Sequence, residues 1–296
     1  MPELPEVELY REALGRTVVG HPLLRVRLAS SFILRTWDPP LADCADRTLL
    51  AVERLGKRLV LCLEGELFIV VHLMIAGRFK WAPAGRKPAA GKVVAAWFDF
   101  PCGTLTLTEA GSHKRASLHV VAGREALASH DPGGMEPIGC TREAFAQRLR
   151  SENHTLKRSL TDPRLFAGIG NAWSDEILCA AGLSPLALSA SLDDEAVARL
   201  HEAVETELIE GLVRLRRACG ERFPDSELIT AFRPEHAVHG RYGQPCGRCG
   251  TTVQHIVYAD RETNYCPACQ TGGRLLADRS LSRLLRDDWP KTIDEL

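Results

Sequence analysis

Two cysteine pairs, Cys246-Gly247-Arg248-Cys249 and Cys266-Pro267-Ala268-Cys269, stand sixteen residues apart near the end of a 296-residue chain and restrict its fold more than any other feature. Two C-x2-C knuckles bring four thiolates to one tetrahedral Zn²⁺ and leave no open coordination position. The spacing therefore predicts one structural zinc, and no Lewis acid. Between the knuckles, His255 to Tyr258 and Asn264-Tyr265 read as short strands around the polar turn Asp260-Arg261-Glu262-Thr263, with Arg261 at the hairpin tip. Disulfides are the competing reading. The other six cysteines, Cys44, Cys62, Cys102, Cys140, Cys179 and Cys219, lie among apolar neighbours as buried free thiols do, which suits a reducing compartment. His239 and His255 lie nearby as spare ligands and read as bystanders.

The opposite end carries different chemistry in Met1-Pro2-Glu3-Leu4-Pro5-Glu6-Val7-Glu8. Removal of Met1 would expose a secondary amine beside a carboxylate. An α-amino group titrates near pH ~8, far below a lysine, so a useful fraction is uncharged and nucleophilic at neutral pH. A secondary amine attacks an aldehyde-like carbon to give an iminium ion, which acidifies neighbouring C–H bonds, and Glu3 is placed to move the protons. The structural alternative is that Pro2 only permits Met1 excision and that Pro-Glu opens a helix, where proline and acidic residues suit the first turn.

At 45% hydrophobic residues the chain has enough apolar surface for two cores. It shows no signal-peptide pattern and no apolar run near twenty residues, so the expectation is a cytoplasmic enzyme of two domains plus a metal module. A net charge of −1 gives no global pull on nucleic acid. Local clusters remain: Arg54 with Lys57 and Arg58, His113-Lys114-Arg115, Lys157-Arg158, and Arg214 with Arg216 and Arg217. After a first helix from about Pro5 to Val18, alternating segments come in pairs, Arg58 to Leu63 with Leu67 to Leu73 and Val93 to Phe100 with Thr104 to Thr108. These predict antiparallel hairpins in a sandwich or barrel. The Pro/Gly-rich residues 131–137 read as a linker, and helical periodicity takes over from Thr141. Val197, Leu200, Val204, Leu208 and Leu212 form one apolar stripe on a helix from Leu192 to Leu215.

Between Leu156 and Gly182 the pattern is helix, glycine-rich turn, helix, with Asn171 as N-cap and Gly182 as C′. The backbone N–H groups of a two-glycine turn before a helix N-terminus suit a phosphate, and Lys157 is placed to hold the same strand. An ordinary helical hairpin, with glycines for close packing, is the alternative.

Together these segments resemble the bacterial formamidopyrimidine-DNA glycosylase/endonuclease VIII family. The resemblance rests on Pro2 to Glu8, Leu55-Gly56-Lys57-Arg58, Gly168-Ile169-Gly170-Asn171, Val238-His239-Gly240-Arg241 with Gly243 before Cys246, and Arg261 in the finger, in family order over most of the chain. Leu4 favours the formamidopyrimidine branch. The resemblance implies an α+β multi-domain fold: an N-terminal antiparallel β-sandwich with a flanking helix over residues 1–132, a helix-two-turn-helix DNA-binding domain over 133–236, and a four-cysteine zinc-finger β-hairpin over 237–275. Residues 276–296 form an extension, with Leu281, Leu284 and Leu285 on a possible short helix. It also implies a DNA glycosylase with AP lyase activity on oxidised or ring-opened purines. Processed Pro2 attacks C1′ of a flipped nucleotide, Glu3 moves protons through β- and δ-elimination, Glu6 supports it and Lys57 reaches the lesion phosphates. Lys157, Gly170, Asn171 and Arg261 hold the backbone on either side. The implied partner is damaged DNA, duplex or single-stranded, with no membrane; the implied enzyme is monomeric, cytoplasmic, bacterial and nucleoid-associated. A chain that keeps Met1 would bind without cutting.

Three departures bear on specificity. The family loop His-Leu-Gly-Met-Ser-Gly stands here as His72-Leu73-Met74-Ile75-Ala76-Gly77, where position favours Ile75 as the void-filling wedge and chemistry favours Met74. The Asp-Pro-Arg-Arg-Phe-Gly segment is replaced around residues 109–115, leaving His113 or Arg115 to meet the orphaned base. The Gly-Gly-Thr-Thr start of the loop that caps 8-oxoguanine is absent from residues 212–232, so an 8-oxoguanine preference does not follow. The alternatives are a paralogue cutting only existing abasic sites, and a non-catalytic binder of damaged or single-stranded DNA in which Pro2 is structural.

Overall fold

Alternation of apolar residues sets both sheets of the N-terminal unit in the computed structural model, which describes residues 1–111, 113–258, 261–277 and 291–295. A five-stranded antiparallel sheet runs β1 (Pro22–Leu23), β3 (Arg47–Leu55), β4 (Arg58–Leu63), β5 (Leu67–His72) and β9 (Ser117–Ala122) in spatial order. A four-stranded sheet runs β2 (Arg25–Leu28), β7 (Val94–Phe100), β8 (Gly103–Glu109) and β6 (Gly77–Pro83). Side chains alternate across a strand, so the register Leu61↔Ile69↔Val120 places those three on one face and Val60↔Val70↔His119 on the other. The first face meets Phe79, Phe98, Leu105 and Leu107 in a core that also takes Val7, Tyr10 and Leu14 from helix α1 (Leu4–Val18). Burying such side chains contributes roughly 1.5–3 kcal/mol each. Part of the second face is capped by the short helix α2 (Arg124–Ala128), whose Leu127 joins Val60, Cys62, Phe68, Val70 and Val121. Both hairpins expected from the alternation are present.

Helix α1 starts at Leu4, one residue before the expected Pro5. Glu3 and Glu6 form a capping box in which the Glu6 carboxylate accepts the Glu3 N–H at 2.9 Å, satisfying a donor that the first turn leaves open. Buried Tyr10 fastens the helix to β6: its hydroxyl accepts the Phe79 N–H at 3.1 Å, and its ring meets Phe79 edge-on at 5.5 Å.

The second unit comprises Gly133–Glu210 and Phe232–Leu296. It contains α3 (Arg142–Arg150), α4 (Leu156–Thr161), α5 (Asn171–Ala181) and most of the long helix α6 (Asp194–Cys219), then the hairpin of β10 (Gln254–Tyr258) and β11 (Arg261–Tyr265) and helix α7 (Pro267–Thr271). Gly182 ends α5 in the left-handed region at φ 67°, as expected of a C′ glycine. Asn171 is not the N-cap. Gly170 takes that position and Asn171 is the first helical residue. The boundary at 236 also differs from the structural grouping, because Gly211–Ala231 packs with Met1–Pro132. Leu212, Leu215, Cys219 and Ile229 are buried in the N-terminal core, and Arg216 donates to Glu12 at 2.5 and 3.0 Å. The leucines of the C-terminal extension lie outside the described residues.

On the outer face of the four-stranded sheet, Asp99 accepts hydrogen bonds from Arg25 at 2.9 Å, Arg27 at 2.8 Å and Thr104 at 2.9 Å. Burial opposes its ionisation, but the bonds from Arg27, Arg25 and Thr104 outweigh it and hold the carboxyl down at about 2. A carboxyl depressed below its unfolded value of about 3.9 stabilises the fold above that pH, and the contribution is lost as pH falls through about 2. Asp99→Asn is therefore expected to lower Tm at pH 7 by about 2–4 °C. Thermal melts of the two proteins should draw together as pH approaches 2.

Candidate active site and nucleic-acid contacts

In the N-terminal unit, Pro2 is buried, and Glu3 and Glu6 are each 3% exposed. The Met1 amine sits below the usual α-amino range because it is buried; Arg78 and Lys57 push the same way, against Glu3 and Glu6. An amine here is thus biased toward its uncharged form, with the Glu3 carboxylate two residues along the chain. Lys57 lies in the two-residue turn that joins the paired residues Leu55 and Arg58. Arg54 braces that turn, donating to the Gly56 carbonyl at 3.1 Å and to Glu8 of α1 at 3.4 Å.

A second loop approaches through Arg78. The turn from Leu73 to Gly77 closes with a 2.9 Å bond from Gly77 N–H to the Leu73 carbonyl, and a Cβ at residue 77 would lie 2.1 Å from that oxygen, so only glycine fits. Met74 takes a left-handed φ of 54° at the bend, and Ile75 projects at 62% exposure. Arg78 donates to the carbonyls of Ile75 and Gly77 at 3.1 and 2.7 Å. At the end of β5, burial followed by the fields of Arg58 and Lys57 pushes His72 down to about 4, so it is neutral near pH 7. Opposite Gly77 in the register stands Glu109, 2% exposed, whose carboxylate accepts the N–H groups of Arg115 and Ala116 at 2.7 and 3.0 Å. It shapes the loop that leaves His113 and Arg115 exposed.

In the second unit, α5 organises the phosphate-binding candidates through consecutive carboxylates. Asp175, with a fully buried side chain, accepts Lys157 at 2.5 Å, pairs with His239 Nδ1 at 2.7 Å and accepts the Asn264 N–H at 3.2 Å. Lys157 also donates to the Asn171 carbonyl at 2.6 Å, so its ammonium is engaged inside the protein and is not a free surface charge. The Asn171 amide donates to the Glu262 carbonyl of the finger at 2.8 Å, which explains why it does not cap its own helix. Glu176 accepts three backbone N–H groups, from Ala237 at 2.6 Å, Val238 at 3.0 Å and His239 at 2.8 Å, while burial lifts its carboxyl above the usual range. Gly170 precedes this helix at its N-cap. Arg261 opens β11 opposite Tyr258, and its side chain lies outside the described residues.

All ten cysteines are unlinked, which removes the disulfide reading. The sulfurs of Cys246, Cys249, Cys266 and Cys269 lie within 4.8 Å of one another. A tetrahedron with Zn–S near 2.3 Å has edges of about 3.8 Å, so four thiolates at this spacing fit one structural zinc. His239 pairs with Asp175 and His255 with Glu262, which accounts for both histidines without the metal. Residues that sequence reasoning passed over are Arg78, Glu109, Asp175 and Glu176. Only the carboxylates' place beside Asn171 on a capped helix was a signal, and a weak one.

Models of three families match the chain: "Formamidopyrimidine-DNA glycosylase N-terminal domain" over residues 1–132, "Formamidopyrimidine-DNA glycosylase H2TH domain" over 134–218, and "Zinc finger found in FPG and IleRS" over 243–272. The formamidopyrimidine-DNA glycosylase of Thermus thermophilus is 35% identical over 287 residues, covering 92% of this chain and 100% of its own. That of Herpetosiphon aurantiacus is 33% identical over 302 residues, covering 91% and 100%. Among solved structures, the Lactococcus lactis protein in complex with abasic-site DNA superposes with a TM-score of 0.77 at 23% identity over 91% of this chain and 99% of that one. A MutM complex with carbocyclic 8-oxo-G DNA gives 0.79 at 24% identity over 91% and 100%. At these identities the structures establish the fold.

Removing one partner of a buried ion pair costs about 3–5 kcal/mol. Asp175→Ala should show a loss of that order in denaturant unfolding of the intact chain, and Asp194→Ala, whose side chain is 95% exposed, should be close to neutral. Elemental analysis is expected to find one zinc per chain in the wild type and none in a Cys266→Ala, Cys269→Ala double variant.

Proposed function

The chain belongs to the formamidopyrimidine-DNA glycosylase family, and from that membership we propose a base-excision repair glycosylase with AP lyase activity that uses Pro2 and Glu3 on oxidised or ring-opened purines in DNA. The observation that carries this reading is the N-terminal amine, held below its usual pKa by burial, near the buried Glu3. Once Met1 is removed, the Pro2 nitrogen inherits that environment. Its lone pair attacks C1′ of a flipped nucleotide, the glycosidic bond breaks, and the base leaves with a proton supplied from Glu3. The C1′–O4′ bond then opens, with O4′ taking a proton, and leaves an iminium that acidifies C2′–H. Loss of that proton expels the 3′ phosphate, a second elimination expels the 5′ phosphate, and hydrolysis returns the amine. Glu6 holds Glu3 through its backbone. Lys57 and neutral His72 meet the lesion phosphates, and the zinc, where bound, serves only to cross-link the finger.

Ile75 is the wedge in this reading. It projects from the tip of its turn, whereas Met74 occupies the bend. His113 and Arg115, exposed on the loop shaped by Glu109, meet the orphaned base. The start of α5, with Gly170 at its N-cap, meets the DNA backbone, Lys157 and Asn171 set the geometry of that helix start, and Arg261 contacts the strand from the finger. The enzyme acts as a monomer on chromosomal DNA of the bacterial cytoplasm, in the nucleoid.

Borohydride trapping with processed protein tests the reading. Duplexes carry a formamidopyrimidine, 8-oxoguanine, an oxidised pyrimidine, an abasic site or no lesion, and the cross-linked peptide is mapped by mass. Trapping at Pro2 on a purine lesion is expected, with none in Pro2→Gly. Glu3→Gln should slow base release by roughly 10²- to 10⁴-fold while abasic DNA is still trapped. Trapping on abasic DNA alone would reduce the activity to a lyase, and no trapping after confirmed Met1 removal would leave a binder.

A further inference from the structure

The outer face of the five-stranded sheet is covered by two different segments, helix α2 over one part and His130, whose ring meets His119 edge-on at 4.8 Å, over another. Helix α2 caps the apolar part, where Leu127 covers Val60, Phe68 and Val121 and Arg124 lies 4.9 Å above the Phe68 ring while paired to Glu53. The rest of the face is of different composition. Register places Arg58 opposite His72, and His119 one step along on the same side. Next to β9 the residues from Leu34 to Trp37 run as an extra edge: Leu34 bridges Leu118 in parallel, Arg35 N–H donates to the Leu118 carbonyl at 2.9 Å, and the Thr36 hydroxyl accepts the Val120 N–H at 2.7 Å. With Leu34 turned to the core, alternation puts Arg35 and Trp37 on the outer side with His119.

Trp37 is 88% exposed, next to Thr36, whose side-chain hydroxyl is bonded to the sheet, and two residues after Arg35, whose backbone N–H is. The charged groups of this part of the face are cationic. Arg58 donates to the His130 carbonyl at 3.0 Å, and the fields of Arg35 and Arg58 both act on His119. Neither ring nitrogen of His119, both buried, has a hydrogen-bond partner among the described residues. The carboxylates nearby are Asp131, whose field acts on Arg58, and Asp38, next to Trp37 in the chain. Toward the other end the track continues to Lys57, whose field acts on both His72 and the N-terminal amine. A cationic lane that starts at the nucleophile and ends on an exposed indole matches an anionic polymer with free π-faces. Paired bases offer no such face; unpaired bases do, and they stack on aromatic side chains without regard to sequence.

We propose that this edge of the sheet binds a single-stranded DNA flank of the damaged site, its phosphates along Arg58 and Arg35 and one base stacked on Trp37. The proposal rests on the DNA-repair reading above and adds a surface and a strand state to it. Such a surface favours lesions near strand ends, gaps or unwound segments, and retains a cut strand after elimination.

The test compares affinities for an abasic-analogue duplex, blunt or with a six-nucleotide oligo-dT overhang at its 5′ or 3′ end, by fluorescence anisotropy. Wild type, Trp37→Leu and Arg35→Gln are used, and both substitutions lie at exposed positions. The wild type should bind one overhang duplex at least roughly fivefold more tightly than the blunt one, and Trp37→Leu should abolish that gain. Tryptophan quenching by oligo-dT should disappear in the same variant, and Arg35→Gln should reduce the gain and its salt dependence. Absence of a gain in the wild type, or its persistence in Trp37→Leu, overturns the proposal. Borohydride trapping on the blunt abasic duplex is run in parallel. If it succeeds equally in wild type and Trp37→Leu, the catalytic reading stands whatever the overhang does; if it fails in both, that reading has failed on its own.

Discussion

Helix α1 begins at the fourth residue, and the capping box of Glu3 and Glu6 fixes the segment that carries the N-terminal amine to the helix's first turn. The open N–H groups of a first turn would otherwise seek water, and a terminus without tertiary anchors frays. Here the box is buried, and Tyr10 fastens the helix to Phe79 of β6. Gly77 and Arg78 lie at the start of the same strand, and Arg78 holds the turn carrying Ile75. Amine, Glu3 carboxylate and loop tip are therefore referred to one rigid frame. Little orientational freedom remains to be removed when a substrate arrives.

The second unit solves a harder electrostatic problem. Two adjacent buried carboxylates repel each other and lose hydration, and neither persists without partners. Asp175 takes the ammonium of Lys157 and the imidazole of His239, whereas Glu176 takes three peptide N–H groups from the segment before the finger. One helix thereby seats the finger by two kinds of interaction, independently of the four cysteines. A metal cluster can close its own knuckles; it cannot by itself orient them on a neighbouring helix.

The fold was legible wherever one periodicity ran without interruption. The β4–β5 and β7–β8 hairpins, helix α1 and the glycine end of α5 follow from alternation, stripe and cap chemistry, and the cysteine quartet from spacing alone. Reading failed where a long-range partner overrode a local preference. Asn171 has the side chain of an N-cap, yet its amide serves the Glu262 carbonyl 91 residues away. Lys157 looks like a surface cation and is engaged by Asp175. The end of α6 continues its apolar stripe without a break, so nothing local marks the point where its leucines enter the N-terminal core. Arg78 and Glu109 sit in no motif, and their importance lies in which carbonyl or N–H groups they meet.

The turn from Leu73 to Gly77 separates what can vary from what cannot. Its frame tolerates no Cβ at residue 77 and depends on carbonyls that Arg78 grips, so every residue of the frame is tied to backbone geometry. The Ile75 side chain, at the tip, points away from that frame and is mostly exposed. An evolving lineage can exchange that single side chain, longer or shorter, branched or straight, without repacking the core. The shape of the loop tip is thus inherited separately from the scaffold, a dial that natural drift or a saturation library can turn one notch at a time.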